Sequence, residues 1–379
     1  MTDLPPWRPG GGVPLTRRMV VRDAARFAIT IGGVGMTVVL MLFLLALYDG
    51  VRTEANGWVA SRPIDAWVAQ MNTTNFIKAS SFLPTAVGDT LQAETGVLEV
   101  SPLLRVITLL DVGAQRVTAI VIGLEPGSAL GRPDVVKGSP SVRGGGIVLD
   151  WALSRRMKVG IDDTLVIQGH TFRVTGLSRG TNSVLTQFAF VTYDDARTLL
   201  GLTNVASYFL VRAAPGMQKD TLIARLRARL PKAAVLSQAT FAENNMDEMR
   251  GGLLPILSTV AVLGSIVAVA VLTLLLYGSV LERREDYALL KAIGAPSRVL
   301  GRVMLGQALA AVCGGMMVGG MVYAIAVPMA EALAPAVPLS LSARNAMLVA
   351  AGALVTGAFG ALLPLGRIAR IHPAEVFRA

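Results

Sequence analysis

The chain has few of the residues that build disulfides, metal sites and charged surfaces. A single cysteine, Cys313, excludes an internal disulfide framework, and its apolar surroundings predict a packing residue. His170 and His372 lie far apart in the sequence and form no H-E-x-x-H pair, so we expect neither to bind a metal or haem. Charged residues make up 16% of the chain, which is low for a soluble domain.

Two further absences limit the classes of function that the sequence allows. The sequence contains no phosphate loop of the form G-x-x-x-x-G-K-[ST], so we expect no ATP hydrolysis and no cofactor in this chain. The cores of the four long apolar runs contain no Asp, Glu, Lys or Arg. Because a proton or ion pathway needs such residues within the membrane, this argues against a proton-coupled transporter or an ion channel.

Hydrophobic residues form 53% of the chain and the mean hydropathy is +0.57, which indicates an integral membrane protein. The apolar runs predict four transmembrane helices, at residues 27–48, 252–280, 301–328 and 344–366. A secretory signal peptide is the alternative for the first run. That run is about 22 residues long, however, and no small-residue cleavage site follows it, so we predict an uncleaved anchor.

The net charge of +10 is distributed at the ends of the predicted helices. Basic residues precede the first run within residues 1–26, surround residues 281–300 and follow the last run in residues 367–379. By the positive-inside rule these three segments, including both termini, are cytoplasmic. A nucleic-acid-binding protein would instead show one basic face with interleaved aromatic residues. Residues 329–343 then form a short outer loop, and an amphipathic helix within residues 1–26 lies on the inner membrane surface.

Residues 49–251 contain no membrane span and predict a large α+β extracytoplasmic domain. Apolar and β-branched runs predict two hairpins: residues 103–112 with 116–124, and residues 165–168 with 171–174 around a Gly169-His170 turn. Further strands are expected at residues 146–150, 188–192 and 207–212, and helices at residues 84–95, 151–157, 194–200 and 219–230. Residues 51–68 and 238–249 are helix-compatible, and we expect them to extend the membrane helices as a stalk.

The polar block at residues 281–298 lies between two predicted spans on the cytoplasmic side. Tyr287, Leu290 and Ile293 recur at helical spacing, Gly294 and Pro296 end that helix, and Ser297 can cap the next one. A helix, a break and a second helix beneath the membrane suggest a docking element. An ordinary solvated loop between two spans is the alternative that periodicity alone leaves open.

The sequence of this block, E-R-R-E-x-x-x-L-L-K-A-I-G-A, resembles the C-terminal domain of FtsX/MacB-type ABC transporter permeases. The closing segment, with Pro364, Arg367, Ile371, Pro373 and Glu375 in the pattern P-x-x-R-x-x-x-I-x-P-x-E, is similar to the end of that family. Residues 146–165 also resemble the MacB-type periplasmic core. The resemblance implies a homodimeric permease that docks two copies of a separate cytoplasmic ATPase, which binds the ATP and Mg. It also allows a periplasmic adaptor as a partner, in addition to membrane lipid.

The resemblance assigns ATPase coupling to the central block, through Glu282, Arg283, Arg284, Glu285, Leu289, Leu290, Lys291, Ile293, Gly294 and Arg298. Glycines at helical spacing in the third and fourth spans let helices approach closely, and they predict dimer or helix packing at Gly315, Gly319, Gly352 and Gly357. Four helices are few to line a transport pathway, which supports pairing of two copies. This inference depends mainly on the resemblance.

These observations predict a non-enzymatic permease that transmits ATP-driven motion to an outer domain, to export or release a hydrophobic or peptide-like substrate. The compact haem-exporter and glycolipid-exporter permeases have the most similar layout. Two alternatives stay open. One is an FtsX-like regulator of an extracytoplasmic cell-wall hydrolase, and the other is a stand-alone membrane sensor.

Overall fold

The computed structural model describes residues 24–54, 56–76, 80–113, 115–140, 142–183, 186–282, 296–334 and 337–362. Within these residues the chain forms two compact units. The membrane unit comprises the described parts of Met1–Tyr48, Leu257–Met329 and Leu341–Ala379. The core domain comprises Asp49–Ile256 together with Ala330–Ser340.

Four helices are long and apolar enough to cross a membrane, and six shorter helices belong to the core domain among the described residues. In chain order they are α1 Ala24–Glu54, α2 Gly57–Ala60, α3 Ala86–Gln92, α4 Trp151–Met157, α5 Tyr193–Leu200, α6 Lys219–Arg229, α7 Gln238–Gly251, α8 Leu253–Leu281, α9 Ser297–Leu333 and α10 Ala343–Leu362.

Helices α1, α8, α9 and α10 coincide with the four predicted spans over the described residues, which end at Leu362. The chain therefore has the predicted fold of four transmembrane helices with a large α+β domain between the first and second. Helix α9 is 37 residues long and extends beyond the predicted span at both ends. At 1.5 Å per residue, α8 with its 29 residues is about 44 Å long, which exceeds the roughly 30 Å of a bilayer core.

The core domain is built on a mixed sheet. Its strands are β1 Ala66–Gln70, β2 Leu83–Pro84, β3 Val97–Val112, β4 Gln115–Leu124, β5 Asp134–Gly138, β6 Gly146–Asp150, β7 Thr164–Ile167, β8 His170–Arg179, β9 Asn182–Ser183, β10 Thr186–Thr192, β11 Val205–Ala206, β12 Tyr208–Ala213 and β13 Ala233–Ser237. The main path runs β13-β1-β12-β3-β4-β10-β6-β8-β5, while β2 and β11 pair separately. The β4–β10 and β6–β8 pairs are parallel, and the other pairs along this path are antiparallel.

Strand β7 closes part of the sheet on itself. It pairs with β8 through Leu165 opposite Phe172, and with β3 through Ile167 opposite Leu110. The circuit β3-β4-β10-β6-β8-β7 is therefore continuous. Aliphatic side chains from these strands and from helices α3 to α6 form one buried core, in which Leu110, Ile147 and Leu153 are fully buried.

The opposite face of the sheet has an aromatic core. Trp58, Trp67, Phe76, Phe190 and Tyr208 meet there, with ring centres 5.3 to 6.3 Å apart for the contacts of Trp58 with Trp67, Phe76 and Phe190. The Tyr208 hydroxyl donates to the carbonyl of Asn75 at 3.2 Å, and burial raises the pKa of Tyr208 to about 12. The Arg105 guanidinium lies 5.5 Å from the Phe76 ring, and burial lowers the pKa of Arg105. This face is therefore a packed interior and not an open pocket.

Two local expectations were wrong. The turn between β7 and β8 is Gln168-Gly169, one residue earlier than predicted, because both residues adopt the positive φ that a tight two-residue hairpin requires. The stalk expected over residues 51–68 is helical only to Glu54 and in the short α2, because Ala66–Gln70 is instead an inner strand of the sheet. Residues 238–249 do form a helix, as expected.

Candidate functional site

The predicted coupling segment is described only at its two ends. Helix α8 ends at Leu281, the exposed Glu282 donates its backbone N–H to Gly278 at 2.9 Å, and α9 begins at Ser297 with Arg298 exposed. Because α8 and α9 each span the membrane, the segment between them lies on one membrane face. Eight predicted coupling residues lie outside the described residues: Arg283, Arg284, Glu285, Leu289, Leu290, Lys291, Ile293 and Gly294.

Glycines bring α1 and α9 together in the membrane unit. A Cβ built on Gly319 would lie 2.7 Å from the carbonyl oxygen of Gly35 and 3.1 Å from Val38, and one built on Gly315 would collide with Val34. A Cβ built on Gly35 would in turn lie 3.3 Å from the carbonyl oxygen of Gly315. The predicted packing glycines Gly315 and Gly319 thus lie at a contact within one chain.

The other two predicted packing glycines lie on α10 and differ from each other. A Cβ on Gly357 would lie 2.6 Å from Val312 of α9 and 3.5 Å from Leu276 of α8, so this glycine packs inside the bundle. Gly352 is exposed, and no atom of the described chain lies within 4 Å of a Cβ built there.

The chain connects the membrane unit to the core domain through helices. Helix α1 is unbroken from Ala24 to Glu54, across the boundary between the two units at Tyr48 and Asp49. Gly252 is the single residue between α7 and α8, and its backbone angles of φ −115° and ψ −93° are not helical. The carboxyl-terminal connection from the core domain to the second span is therefore one helix, one joint and a second helix.

Helix α7 is fixed to the sheet by specific contacts. Phe241 stacks on Trp67 of β1 with ring centres 4.4 Å apart and planes 18° apart, and the Trp67 indole donates to the Gln238 side chain at 2.5 Å. The buried Asn245 accepts from the backbone N–H of Phe76 at 2.7 Å and donates to Phe241 at 2.8 Å. Sequence reasoning predicted the helix but missed this anchor, because the partners are separated by more than 160 residues.

A buried polar cluster lies at the start of α4. The Asp150 carboxylate accepts from the backbone N–H of Ala152 at 2.8 Å, as the helix cap, and from the Thr181 hydroxyl at 2.7 Å. Thr181 and Ser178 share a further hydrogen bond of 2.8 Å. Burial raises the pKa of Asp150, and these hydrogen bonds oppose the rise. The cluster is satisfied internally, which is typical of a structural network.

Beside this cluster lies a cavity of about 250 Å³ within the core domain. Trp151, Arg155 and Arg179 line it, together with Glu331 in the last turn of α9 and Pro338 in the loop between α9 and α10. Among the described residues no group of three His, Cys, Asp or Glu side chains is placed to hold a metal ion. In the sequence, the only indication of the cavity was the pair Trp151 and Arg155, which lie one helical turn apart. The same spacing occurs on helices that line no cavity, so it is not specific.

Two sequence profiles match the chain. The MacB-like periplasmic core domain matches residues 27–229, and the FtsX-like permease C-terminal domain matches residues 258–373. The first profile covers more than half of the chain.

Relatives of similar length also match. An uncharacterized ABC transporter permease of Mycobacterium tuberculosis strain H37Rv is 28% identical over 358 residues, covering 93% of this chain and 95% of the relative. An uncharacterized ABC transporter permease of Mycobacterium bovis is 26% identical over 366 residues with the same coverage.

Solved structures match over about half of the chain. The periplasmic region of MacB from Actinobacillus actinomycetemcomitans is 13% identical with a TM-score of 0.39, and covers 48% of this chain and 93% of that structure. The extracellular domain of the noncanonic ABC-type transporter YknZ from Gram-positive bacteria is 12% identical with a TM-score of 0.36, and covers 46% of this chain and 98% of that structure.

Proposed function

Because the chain belongs to the family of ABC transporter permeases that join a MacB-like periplasmic core domain to an FtsX-like permease C-terminal domain, we propose that it transmits ATP-driven motion across the membrane. A separate cytoplasmic ATPase binds ATP and Mg and docks on residues 282–298. The permease works as a homodimer with two ATPase copies. The motion exports or releases a hydrophobic or peptide-like substrate on the outer side.

The observation that carries this proposal is the anchored helix α7. Its contacts through Phe241 and Asn245 fix it to the sheet of the core domain, and Gly252 alone separates it from α8. The other end of α8 leads directly into Glu282 and the predicted docking segment. A displacement of that segment therefore has a short, mostly helical route along the chain to a rigid part of the core domain.

Charge supports the orientation. Arg298 and Arg302 are exposed at the start of α9, whereas the segment from Ala330 to Ser340, at the other end of α9 and beyond it, contains no Lys or Arg in the sequence. By the positive-inside rule this charge distribution supports a cytoplasmic location for residues 282–298 and both termini, with the core domain on the opposite side of the membrane.

The test alters the joint at Gly252 and measures the motion of the core domain. It therefore needs no known substrate. In a Cys313→Ala background, a spin label at Leu202→Cys, an exposed position of the core domain, reports the distance between the two copies in lipid nanodiscs with the cognate ATPase. We expect this distance to change when ATP is added. Four glycines inserted after Gly252 should abolish the change while leaving ATP hydrolysis near its basal rate.

The matched control is the same insertion after Gly144, an exposed position in the turn before β6, where no atom of the described residues beyond its chain neighbours lies within 4 Å of a Cβ built there. We expect this control to respond to ATP like the parent. A full ATP response in the Gly252 insertion would contradict transmission through α7 and α8. Equal loss in both insertions would point to damage of the domain instead.

The substrate class is tested by ATP hydrolysis of the same complex against haem, lipopeptides, antimicrobial peptides and glycolipids. Stimulation by one class would support export or release of that class. Hydrolysis that is indifferent to every ligand, together with an intact ATP-dependent distance change, would reject transport and favour mechanical control of an outer protein partner.

A further inference from the structure

The core domain has a further, larger cavity, a groove of about 940 Å³ that is lined by the starts of α6 and α7. Residues of the segment 60–65, before β1, and of the segment 212–217, at the end of β12 and beyond it, also line it. All of these residues belong to the core domain. Pockets that enclose drug-sized molecules have volumes of about 300–1,000 Å³, so the groove has room for a short peptide or a molecule of similar size.

Much of the lining is apolar and small. Ile64 and Ile223 line the groove and are buried in the core domain. Five alanines contribute only a methyl group each: Ala60, Ala213, Ala214, Ala239 and Ala242. Such a lining contacts apolar side chains of a ligand and leaves space for them.

Most of the charged side chains in the groove already have partners. The Asp65 carboxylate pairs with Lys219 at 2.7 Å and accepts from the backbone N–H of Ala213 at 2.8 Å. Arg62 pairs with Asp134. These groups hold the walls of the groove in place, and none of them needs a ligand.

Two charged residues of the lining, Arg212 and Asp220, form no ion pair within the described part of the chain. Arg212 is half-buried and Asp220 is exposed. Glu99 lies opposite Arg212 on β3, but its carboxylate accepts from the Ser128 hydroxyl at 2.6 Å instead. The groove therefore offers one available cation and one available anion beside an apolar surface.

These features discriminate among hydrophobic and peptide-like substrates. Haem iron is held by histidine, cysteine, methionine or tyrosine. Of these only Met217 is among the described residues that line the groove, and its methyl carbon lies 3.0 Å from a Cβ built on Gly96, against which it packs. An acyl chain would cover Arg212 without giving it a hydrogen-bond partner, which costs free energy. A short peptide supplies apolar side chains, a terminal carboxylate and a basic group together.

We propose that this groove binds the carboxyl-terminal end of a peptide, with its carboxylate at Arg212 and a basic group near Asp220. A guanidinium and a carboxylate match in geometry and form two parallel hydrogen bonds. Residues Gln238, Ala239 and Ala242 of α7 line the groove, so a bound peptide contacts the helix that leads to α8. Release of the peptide through movement of α7 rests on the proposed function, whereas binding does not.

The experiment measures peptide retention by the full-length permease alone, in detergent, with native mass spectrometry. The probe is an equimolar pool of pentapeptides that begin with lysine, carry alanine, valine, leucine or phenylalanine inside, and end with a free carboxylate. A second pool is identical but ends with a carboxamide. We expect the parent to retain the carboxylate pool about tenfold more strongly, because the carboxamide loses the charge-assisted hydrogen bonds to Arg212.

Arg212→Gln should abolish this preference while retaining the carboxamide pool like the parent, which also establishes that the variant is folded. Asp220→Asn should weaken retention of the carboxylate pool by about twofold, a small effect because Asp220 is exposed. The matched control is Arg225→Gln, which removes an exposed arginine of α6 that does not line the groove. It should keep the full preference.

Three results would overturn the proposal. The first is equal retention of the two pools by the parent, and the second is retention of neither pool. The third is a preference for the carboxylate that survives Arg212→Gln, or that Arg225→Gln reduces to the same extent.

A second arm separates this site from the proposed transmission of motion. The cognate ATPase is added to the permease in nanodiscs, and retained peptide is measured with and without ATP. We expect ATP to lower retention by the parent but not by the four-glycine insertion after Gly252. If retention is unaffected by ATP while the distance between the copies changes, release from this groove is wrong and transmission stands. If neither changes while the carboxylate preference is intact, the groove stands as a binding site and transmission is wrong.

Discussion

Gly50 of α1 lies directly against the carbonyl of Pro338, in the loop between α9 and α10. Gly50 is buried, and a Cβ there would collide with the Pro338 carbonyl and approach the backbone nitrogen of Ser340 to 3.1 Å. Since backbone atoms cannot move aside as a flexible side chain does, we predict that Gly50→Ala costs about 1–3 kcal/mol. Thermal unfolding of the full chain in nanodiscs measures the change.

Gly32→Ala is the control for this substitution, because Gly32 lies in the same helix and, outside that helix's own backbone, no atom of the described residues lies within 4 Å of a Cβ built there. We expect its unfolding midpoint to match or slightly exceed that of the parent, since alanine favours helix more than glycine does. If the Gly50→Ala protein were as stable as the Gly32→Ala protein, the loop between α9 and α10 would not be tightly packed against Gly50 of α1.

Gly319 and Gly320 are adjacent on α9 but have different surroundings, so the same substitution can be compared at both. Gly319 faces Gly35 and Val38 of α1, whereas no atom of the described chain lies within 4 Å of a Cβ on Gly320. We predict that Gly319→Val separates α1 from α9 and lowers the yield of folded protein by severalfold, while Gly320→Val leaves the single copy intact. Fluorescence-detected size exclusion in detergent checks both. Equal yields of the Gly319→Val and Gly320→Val proteins would show that close packing of α1 against α9 does not determine folding.

The cap of α4 separates the roles of charge and hydrogen bonding. Asp150→Ala removes the acceptor for Ala152 and should destabilise the core domain by about 1–2 kcal/mol. Asp150→Asn keeps that acceptor, and its amide can donate to Thr181 if the Thr181 hydroxyl turns to Ser178. We therefore predict that Asn is much closer to the parent than Ala. Intrinsic fluorescence follows unfolding, since Trp58, Trp67 and Trp151 all belong to the core domain.

The same pair of proteins tests the pKa of Asp150. Burial raises this pKa in the folded state above its ordinary value, so the folded state binds the proton more tightly than the unfolded state does. The stabilisation from this group is complete below the unfolded pKa and is lost as pH rises through the folded pKa. From about pH 4 upward the parent should therefore lose stability relative to Asp150→Asn. A stability difference that is independent of pH between about 4 and 7 would contradict the raised pKa.

The docking segment gives a prediction that depends only on its sequence pattern. Leu290→Asp with Ile293→Asp places two charges on the predicted apolar stripe, and we expect it to reduce permease-stimulated ATP hydrolysis more than about tenfold, because the charges lose hydration on docking. Membrane insertion should be unchanged. Ala292→Asp, on a different face of the predicted helix, is the control and should retain stimulation. Unchanged hydrolysis in the double variant would exclude this stripe from ATPase coupling.

The sequence predicted the parts of the fold whose signals are local. Apolar length alone located four membrane helices, and alternation with β-branched residues located the β3–β4 hairpin, in which Leu103 pairs with Leu124 and Val112 with Gln115. Helix α4 begins and ends at the predicted residues, because Asp150 caps its start and Lys158 ends it in the left-handed conformation.

Longer-range features could not be predicted in this way. Residues 66–68 end the stretch that was predicted to be helix-compatible, but in the structure Ala66–Gln70 form an inner strand between β12 and β13, and four of the five are buried. Tertiary pairing overrides local propensity at such a position. The cavity beside Trp151 likewise depends on residues from four separate parts of the chain, so no single segment carries its signal.

The inner position of β1 also means that the sheet cannot be completed until late in translation. Strand β1 is complete at Gln70, but its neighbours β12 and β13 follow only at Tyr208–Ala213 and Ala233–Ser237. At about 5–20 residues per second, both edges of β1 stay unpaired for on the order of ten seconds during translation. Exposed strand edges invite aggregation. A ribosome that stalls before β13 would thus leave an anchored helix followed by a sheet in which one edge of β1 has no partner strand.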